Sequence, residues 1–332
     1  MNSDVLSFPE IGIKIPIDRV AFSIGSFDIY WYSICITTGL LLAMVFAWFN
    51  ARRFGVDREK LVDCIIVGTI GGIVGARLYY ILFSGELMEY LKNPIDIINI
   101  RNGGIAIYGS IIGGLGSGAI ACRFKKIKVL SAFDIAATGF TIGQAIGRWG
   151  NFFNQEAFGT NTTAPWGMLL SESAQNSYAY DPQMAAVDLS KPVHPCFLYE
   201  SIWCALCFVI LYFVLRKWKK FDGQIFFIYI GLYGLERMFV EGLRTDSLML
   251  TDHIRVSQFL AGLCVAASIG LLIWGFSKHK AKQTDLGEYE GLFNDIEVVY
   301  EVEKPEEEID DHEDLNEGKE KSDEIQQPDD NN

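Results

Sequence analysis

GQAIGRWGNFFNQEAFG, residues 143–159, ends an apolar run of membrane-spanning length and carries an arginine, two asparagines, a glutamine and a glutamate within nine residues. Helical spacing of 0, 4, 7 and 11 predicts one polar face, formed by Gln144, Arg148, Asn151 and Gln155. An arginine at the end of a membrane helix is costly unless it is paired, hydrated or bound to an anion. A lone arginine reaching for water is the simpler interpretation. The uncharged hydrogen-bonding neighbours favour a binding site.

Small residues recur at four-residue spacing in three places, and each set predicts close approach of a neighbouring helix backbone. The sets are Gly139/Gly143/Gly147, Gly68/Gly72 and Ser110/Gly114/Gly118. Close packing of this kind would surround a cavity that opens sideways to lipid.

The chain has 332 residues, is 50% hydrophobic and has a mean hydropathy of +0.21, which is too apolar for an ordinary soluble protein. Its formal net charge of −13 combines two unlike parts. Residues 283–332 hold 20 acidic residues and 3 lysines, a net of −17, whereas residues 1–282 have a net of +4. We therefore expect a mildly basic membrane body with an acidic, disordered tail. No basic patch with interleaved aromatics exists, so nucleic acid is not an expected partner.

The seven cysteines lie mostly inside apolar runs. The first run begins only near Ile29 and has no basic region before it, so a cleavable signal peptide is not expected. Cys204 and Cys207 have the spacing of a metal or redox pair but stand in mid-segment without histidine partners. We interpret these residues as small apolar side chains, so neither a metal nor another cofactor is expected.

Seven apolar segments are each near the ~20 residues needed to cross ~30 Å of hydrocarbon, which predicts an all-α integral membrane protein. The segments are 29–49, 61–83, 104–122, 132–150, 196–215, 223–240 and 254–276. Residues 151–195 are polar and too long for a turn, which predicts a small folded head. Residues 1–28 are expected at the membrane surface, residues 29–282 form the membrane domain, and residues 283–332 form the tail.

Basic clusters at 52–60, 123–128, 216–220 and 278–282 all fall on one side if seven segments cross the membrane. By the positive-inside rule, the N-terminus and the head lie outside and the C-terminus lies in the cytoplasm. The agreement of four clusters favours seven spans over six or eight.

Six of the seven segments then place polar residues toward the outer leaflet: Tyr32, Arg77, Tyr108, Arg148, Asn151, Tyr199, Glu200, Arg237, Glu241 and Arg244. Each has a simpler interpretation, such as neutralisation of Arg237 by Glu241 or an interfacial role for the tyrosines. Asp134, at the other side, is interpreted as a helix-start residue. Jointly, the arginines outnumber Glu200 and Glu241, so we expect an uncompensated cationic pocket that binds a phospholipid phosphate.

Several motifs resemble the bacterial prolipoprotein diacylglyceryl transferases. They are GRWGNFFNQEAFG at 147–159, HPCFLYE at 194–200, Arg237-x-x-x-Glu241-x-x-Arg244-x-Asp246, Trp31-Tyr32, Gly75-Ala-Arg77-Leu-x-Tyr80 and the 103–109 segment. The similarity runs in order from about residue 8 to 276 and leaves the tail outside.

The resemblance implies a multi-pass enzyme of the bacterial plasma membrane with seven spans and its active site toward the outer leaflet. It implies transfer of the diacylglyceryl group of phosphatidylglycerol to the lipobox cysteine of a prolipoprotein signal peptide. A thioether forms and glycerol phosphate is released, as the first step of lipoprotein maturation. One position departs from the family, which often has a histidine in the third span where this chain has Tyr108. A histidine base is therefore not carried over, and the proton acceptor stays open.

On this basis, Arg148 and Arg237 are predicted to hold the phosphate, while Tyr32 and Tyr108 position the headgroup or relay a proton. The remaining substrate-binding candidates are Asn151, Glu156, Gly159, Glu241, Arg244 and Arg77, with His194, Tyr199 and Glu200 as orienting residues. A transporter or channel is a second interpretation, because glycine-rich spans and buried charges also suit a substrate path. A seven-span receptor-like protein is a third, and it would not need several arginines at headgroup depth.

Overall fold

The structure is a computed structural model that describes residues 4–99, 103–244 and 255–285. It is mostly helical, and all seven predicted apolar segments coincide with long helices. The helices are Trp31–Asn50 (α1), Arg58–Phe83 (α2), Leu87–Lys92 (α3), Pro94–Ile98 (α4), Ile107–Phe124 (α5), Val129–Asn154 (α6), Glu172–Tyr178 (α7), Cys196–Lys217 (α8), Gln224–Leu243 (α9) and Val256–Asp285 (α10). The strands are Asp4–Phe8 (β1), Ile13–Ile17 (β2), Val20–Ile24 (β3) and Phe27–Tyr30 (β4). The acidic tail lies outside the described residues from position 286 onward.

Five helices of the described chain are long and apolar enough to cross a membrane, which makes this a multi-pass membrane protein. They are 31–54, 58–83, 129–154, 196–217 and 256–280. The other two long helices differ for reasons visible in their sequences. Helix α5 is rich in glycine and serine, and α9 carries Glu236, Arg237 and Glu241. That all seven cross the membrane stays a prediction.

The expectation of an all-α fold is too strict, because residues 4–30 form two antiparallel hairpins. Strand β1 pairs with β2 and β3 with β4, and the turns between them use glycines with positive φ, Gly12 at 71° and Gly25 at 63°. Glycine takes this conformation without the steric cost of a Cβ atom. Apolar residues at alternate positions let β1 bury one face.

The first hairpin packs with the segment that follows α6 instead of lying alone at a membrane surface. Ser7 and Leu169 exchange two backbone hydrogen bonds, of 3.1 and 2.8 Å. One hydrophobic core then joins residues of β1, β2, the head segment 155–195 and two long helices. Its members include Leu6, Phe8, Ile17, Phe152, Phe158, Met168, Leu170, Val193 and Phe197. The predicted boundary of the head at 151–195 therefore omits a strand pair that shares its core.

The predicted small-residue ridges lie at helix contacts, which confirms their role in packing. An added Cβ at Gly39 of α1 would stand 2.9 Å from the carbonyl oxygen of Gly143 on α6. Helices α2 and α5 meet along Gly68, Gly72, Ser110, Gly114 and Gly118. Helix α6 thus contacts α1 on one side and α8 and α9 on the other, and the residues at its end are held from several directions.

At the end of the bundle opposite the head segment, lysines of the predicted basic clusters pair with acids from other parts of the chain. Lys128 lies 3.3 Å from Asp222, and Lys219 lies 3.1 Å from Asp134. Asp134 is fully buried and accepts hydrogen bonds from the backbone N–H groups of Gly223 and Phe226, at 2.8 and 2.9 Å. The expectation that Asp134 starts its own helix is wrong, because α6 begins at Val129 and Asp134 lies in its second turn; Asp134 instead caps the start of α9.

Candidate active site

A fully buried carboxylate joins the two arginines that the sequence singles out. Arg148 on α6 lies 2.7 Å from one oxygen of Glu200 on α8, and Arg237 on α9 lies 3.4 Å from the other. Arg237 also pairs with Glu241, one turn further along α9, at 2.8 Å. Three separate helices thus converge on one carboxylate. The predicted convergence of Arg148 and Arg237 is present in the geometry.

The two guanidinium groups are more accessible than the carboxylates that hold them. The side chains of Arg148 and Arg237 are each 21% exposed, whereas Glu200 is 0% and Glu241 4% exposed. A guanidinium has five N–H donors, so these ion pairs leave donors available on both arginines. The acids lie behind the cations, and the accessible face of the cluster consists of arginine.

The end of α6 carries the next polar group toward the head. Asn151, one turn after Arg148, donates from Nδ2 to Oε1 of Glu156 at 2.8 Å, and Asn154 donates to the same oxygen at 3.2 Å. The helix stops at Asn154 because Gln155 adopts a left-handed conformation with φ 52°. Its side chain is buried and bonds Ser171 instead of continuing the predicted polar face, which corrects that expectation.

Tyr32 lies close to this group, at the start of α1. An added Cβ at Gly150 would come within 2.7 Å of the Tyr32 ring, so the ring packs directly over that glycine. The charges of both Glu156 and Arg148 act on the Tyr32 hydroxyl. A cleft of about 320 Å³ opens here, and Arg19, Tyr30, Tyr32, Ser33, Asn154, Glu156 and Tyr178 line it.

Gly159 holds the end of α9 against the head segment. Its N–H donates to the carbonyl of His194 at 2.9 Å, and it forms an isolated β-bridge with Arg244. An added Cβ at Gly159 would meet the carbonyl of Leu243 at 2.9 Å. Glycine is needed because the backbone at 159 passes close to the backbone at Leu243. Gly159 therefore helps to position Arg244. Asp246 of the same motif lies outside the described residues.

The predicted orienting residues form a short chain of hydrogen bonds beside Glu200. Trp166 donates to the Tyr199 hydroxyl at 2.7 Å, and that hydroxyl lies 3.1 Å from Nδ1 of His194. Burial lowers the pKa of His194, which favours its neutral form. The chain fixes the start of α8, where Tyr199 immediately precedes Glu200.

Two predicted site residues, Arg77 and Tyr108, have their described contacts with other parts of the chain. Arg77 is 7% exposed and donates to the carbonyls of Ile97, Gly103 and Gly104 at 2.7–3.1 Å. With its donors directed to backbone carbonyls, Arg77 clamps the connector after α4, and this geometry does not support phosphate binding. Tyr108 is 44% exposed at the start of α5, and its ring lies 6.3 Å from that of Tyr79.

Sequence reasoning missed Glu236, which is 4% exposed and acts electrostatically on Arg148, Arg237 and Arg244. With Glu200 and Glu241 it brings the number of buried acidic residues to three, the same as the number of arginines near them, Arg148, Arg237 and Arg244. Glu236 also lines a second cavity of about 10 Å³, the space of about one water. Glu236 stands three residues after Tyr233, and this helical spacing could have placed both residues on one face of α9.

Fold and site together define a multi-pass helical membrane protein with a carboxylate-anchored arginine pair beside a polar cleft. The model of the family described as prolipoprotein diacylglyceryl transferase matches residues 19–274. The chain therefore belongs to the prolipoprotein diacylglyceryl transferase family, and it is a transferase.

The relatives agree with the family match. A phosphatidylglycerol–prolipoprotein diacylglyceryl transferase of Clostridium kluyveri is 40% identical over 268 residues, covering 81% of this chain and 100% of its own. The Finegoldia magna protein of that name is 42% identical over 256 residues, covering 77% and 95%. The Clostridioides difficile protein is 39% identical over 263 residues, covering 79% and 97%.

Proposed function

We propose that this chain transfers the diacylglyceryl group of phosphatidylglycerol to the lipobox cysteine thiol of a prolipoprotein signal peptide. The product is a thioether, and glycerol phosphate is released. The names of the relatives support the substrates. The observation that carries the proposal within this chain is the pair of accessible guanidinium groups fixed on buried Glu200.

Arg148 and Arg237 bind the phosphate of the lipid. Guanidinium suits this task because its planar fork pairs with two oxygens and keeps its charge when partly dehydrated. Glu200 and Glu241 orient the forks, which reduces the rearrangement needed when charge develops on the leaving phosphate. Arg244 adds positive charge at the same end of α9.

The remaining polar groups bind the headgroup beyond the phosphate. Asn151 and Glu156 receive the glycerol hydroxyls, and the Tyr32 ring packs beside them over Gly150. Carboxylate and amide oxygens accept hydrogen bonds from hydroxyl groups, and amide N–H groups donate to them. The order from Arg148 to Asn151 to Glu156 follows the order of phosphate and glycerol in the lipid.

The reaction forms a sulfur–carbon bond at a glycerol carbon and breaks the bond between that carbon and the phosphate oxygen. The electron pair of the broken bond stays on the phosphate, and the thiol proton ends on phosphate or solvent. A thiolate is the competent nucleophile, and nearby guanidinium groups lower the pKa of an incoming thiol. This lessens the demand for a dedicated base where the family has a histidine and this chain has Tyr108.

Seven helices cross the plasma membrane in this proposal, with the N-terminus and the cleft outside and the acidic tail in the cytoplasm. The four basic clusters support that orientation. The arginine pair then lies toward the outer leaflet, at the depth of lipid headgroups. A transporter is less well supported, because the charged cluster lies at one end of the bundle.

A reconstituted assay tests the proposal directly. Purified protein in detergent receives phosphatidylglycerol and a lipobox peptide, and mass spectrometry follows the peptide. We expect the mass of one diacylglyceryl group on the cysteine peptide and none on its cysteine-to-serine control. Wild-type protein that never shifts the peptide contradicts the proposed activity.

Variants test the assigned roles. We expect Arg148→Ala and Arg237→Ala to lower turnover by about 10²–10³-fold, the usual loss for one preorganised charge-stabilising contact. Normal turnover in both would remove the phosphate assignment. Tyr108→Phe separates a hydroxyl contribution, which predicts a large loss, from packing, which predicts activity close to the wild type.

A further inference from the structure

The cleft beside Tyr32 contains opposite charges that are not paired with each other. Glu156 lies on its α6 side, where Asn151 and Asn154 fix one carboxylate oxygen. Arg19, in the turn between β2 and β3, lines the same cleft of about 320 Å³. Among the described residues, no ion pair or hydrogen bond involves the Arg19 guanidinium. Its charge is therefore available to act on whatever occupies the cleft.

A carboxylate alone would not select a neutral polyol headgroup over a headgroup with an ammonium group. Glu156 can accept hydrogen bonds from glycerol hydroxyls, but it attracts a primary ammonium group more strongly because the Coulomb term is added. Phosphatidylethanolamine carries such an ammonium. A site with Glu156 and no opposing charge would therefore favour the wrong lipid.

We infer that Arg19 is a specificity-determining residue, whose positive charge in the cleft excludes cationic headgroups and leaves hydroxyl-bearing ones favoured. Discrimination of this kind commonly uses a repulsive element against the competitor as well as attraction to the substrate. The tyrosines that line the cleft can donate and accept hydrogen bonds with a polyol. This inference rests on the proposed function and names a residue that its chemistry does not require.

The position of the cleft relative to the arginine pair supports this role. Tyr32 lines the cleft and also lies within the electrostatic range of Arg148. Asn151 stands one turn after Arg148 on α6 and donates a hydrogen bond to Glu156, which lines the cleft. A phosphate at the arginine pair would therefore direct its headgroup toward Glu156 and Arg19, with Tyr32 between the two places.

Competition between two lipids measures the effect. The peptide assay is run in detergent micelles containing phosphatidylglycerol and phosphatidylethanolamine whose acyl chains differ in mass, so one spectrum reports both transfers. We expect Arg19→Glu to lower the preference for phosphatidylglycerol by about tenfold, the scale of reversing one charge at a partly solvated site. Arg19→Gln should give a smaller change in the same direction. High salt should weaken both effects.

Lys14→Glu is the matched control, since Lys14 is an exposed cation on neighbouring β2 that does not line the cleft. It reverses the same charge and should leave the preference at the wild-type value. An unchanged preference in Arg19→Glu and Arg19→Gln, with turnover of phosphatidylglycerol retained, overturns the inference. An equal loss of preference in Lys14→Glu also overturns it, because a general surface charge would then suffice. Absence of transfer by the wild type would instead contradict the proposed function.

Discussion

Helix α9 is fastened at each end by a fully buried carboxylate, and the two ends differ in what they leave accessible. At its start, Asp134 accepts two backbone N–H groups and pairs with Lys219, whose side chain is 6% exposed. At its other end, Glu200 holds Arg148 and Arg237, whose side chains are 21% exposed. The first site is closed, and the second leaves its cations accessible. Exposure of the cation, not burial of the acid, separates the structural ion pair from the proposed binding site.

The largest expected effect is on stability, at the closed end. Asp134→Ala should lower the free energy of unfolding by about 3–5 kcal/mol, because two backbone N–H groups of α9 lose their buried acceptor and Lys219 loses one of its two carboxylate partners, with Asp222 at 3.2 Å remaining. Turnover per folded molecule should stay near the wild-type value. Denaturation in detergent, with activity normalised to the folded fraction, measures both quantities.

A double variant provides the control for that experiment. Asp134→Leu with Lys219→Met removes both charges, so the part of the loss that comes from the broken ion pair should return, whereas the part that comes from the two unpaired N–H groups of Gly223 and Phe226 should remain. If Asp134→Ala is as stable as the wild type, Asp134 does not have the structural role that distinguishes it here from Glu200.

The next largest effect is on turnover, at the open end. Arg237→Lys keeps the positive charge but loses the two-point hold on Glu200 and Glu241, so turnover should fall by about 10²-fold. Arg148→Lys should be impaired for the same reason. The measurement is the peptide transfer rate at saturating lipid.

Arg216→Lys makes the same substitution at the exposed, opposite end of α8 and should be close to the wild type. Full activity in Arg237→Lys would mean that charge alone suffices. The fork geometry would then have no part in the difference between the two ends.

These two ends also show what the sequence can predict. Arg148, Glu200 and Arg237 stand out because polar residues are rare in apolar segments, and their positions in segments of alternating direction place them at one depth. The glycine ridges stand out for a similar reason, since four-residue spacing determines which residues share a helix face. The first prediction rests on position along the apolar segments, and the second on periodicity within one helix.

Contacts between distant segments carry no such periodic signal. Ser7 of strand β1 pairs with Leu169, which lies 162 residues further along the chain, and Arg77 binds carbonyls of a connector, so neither contact follows from a local pattern. Gln155 leaves its helix face because the backbone turns left-handed there. The sequence analysis did not select Glu236, although it stands next to Arg237 and is a third buried acid of the site.

A substitution that disturbs helix packing without changing any charge should have an intermediate effect on stability. It tests whether stability depends on the buried carboxylates alone. A methyl group at Gly113 of α5 would overlap the carbonyl oxygen of Gly71 on α2, so Gly113→Ala should lower the free energy of unfolding by about 1–3 kcal/mol. Gly116→Ala, on the same helix, meets nothing within 4 Å and should be neutral or slightly stabilising. Equal stability of both variants would show that α2 and α5 tolerate separation.

The smallest expected effect is on the pH dependence of stability, and it arises from His194, near the arginine end of α9. Burial lowers the pKa of His194 below its usual value near ~6.5, so the unfolded chain binds more protons than the folded one at mildly acidic pH. Stability linked to His194 is present above pH ~6.5 and is lost as the pH falls below it. His194→Gln should abolish this part of the pH dependence, so wild-type melting temperatures should approach or fall below those of the variant between pH 7.5 and 5.5. Parallel melting curves across that range would show that His194 titrates alike in both states, and that its bond to Tyr199 does not depend on neutrality.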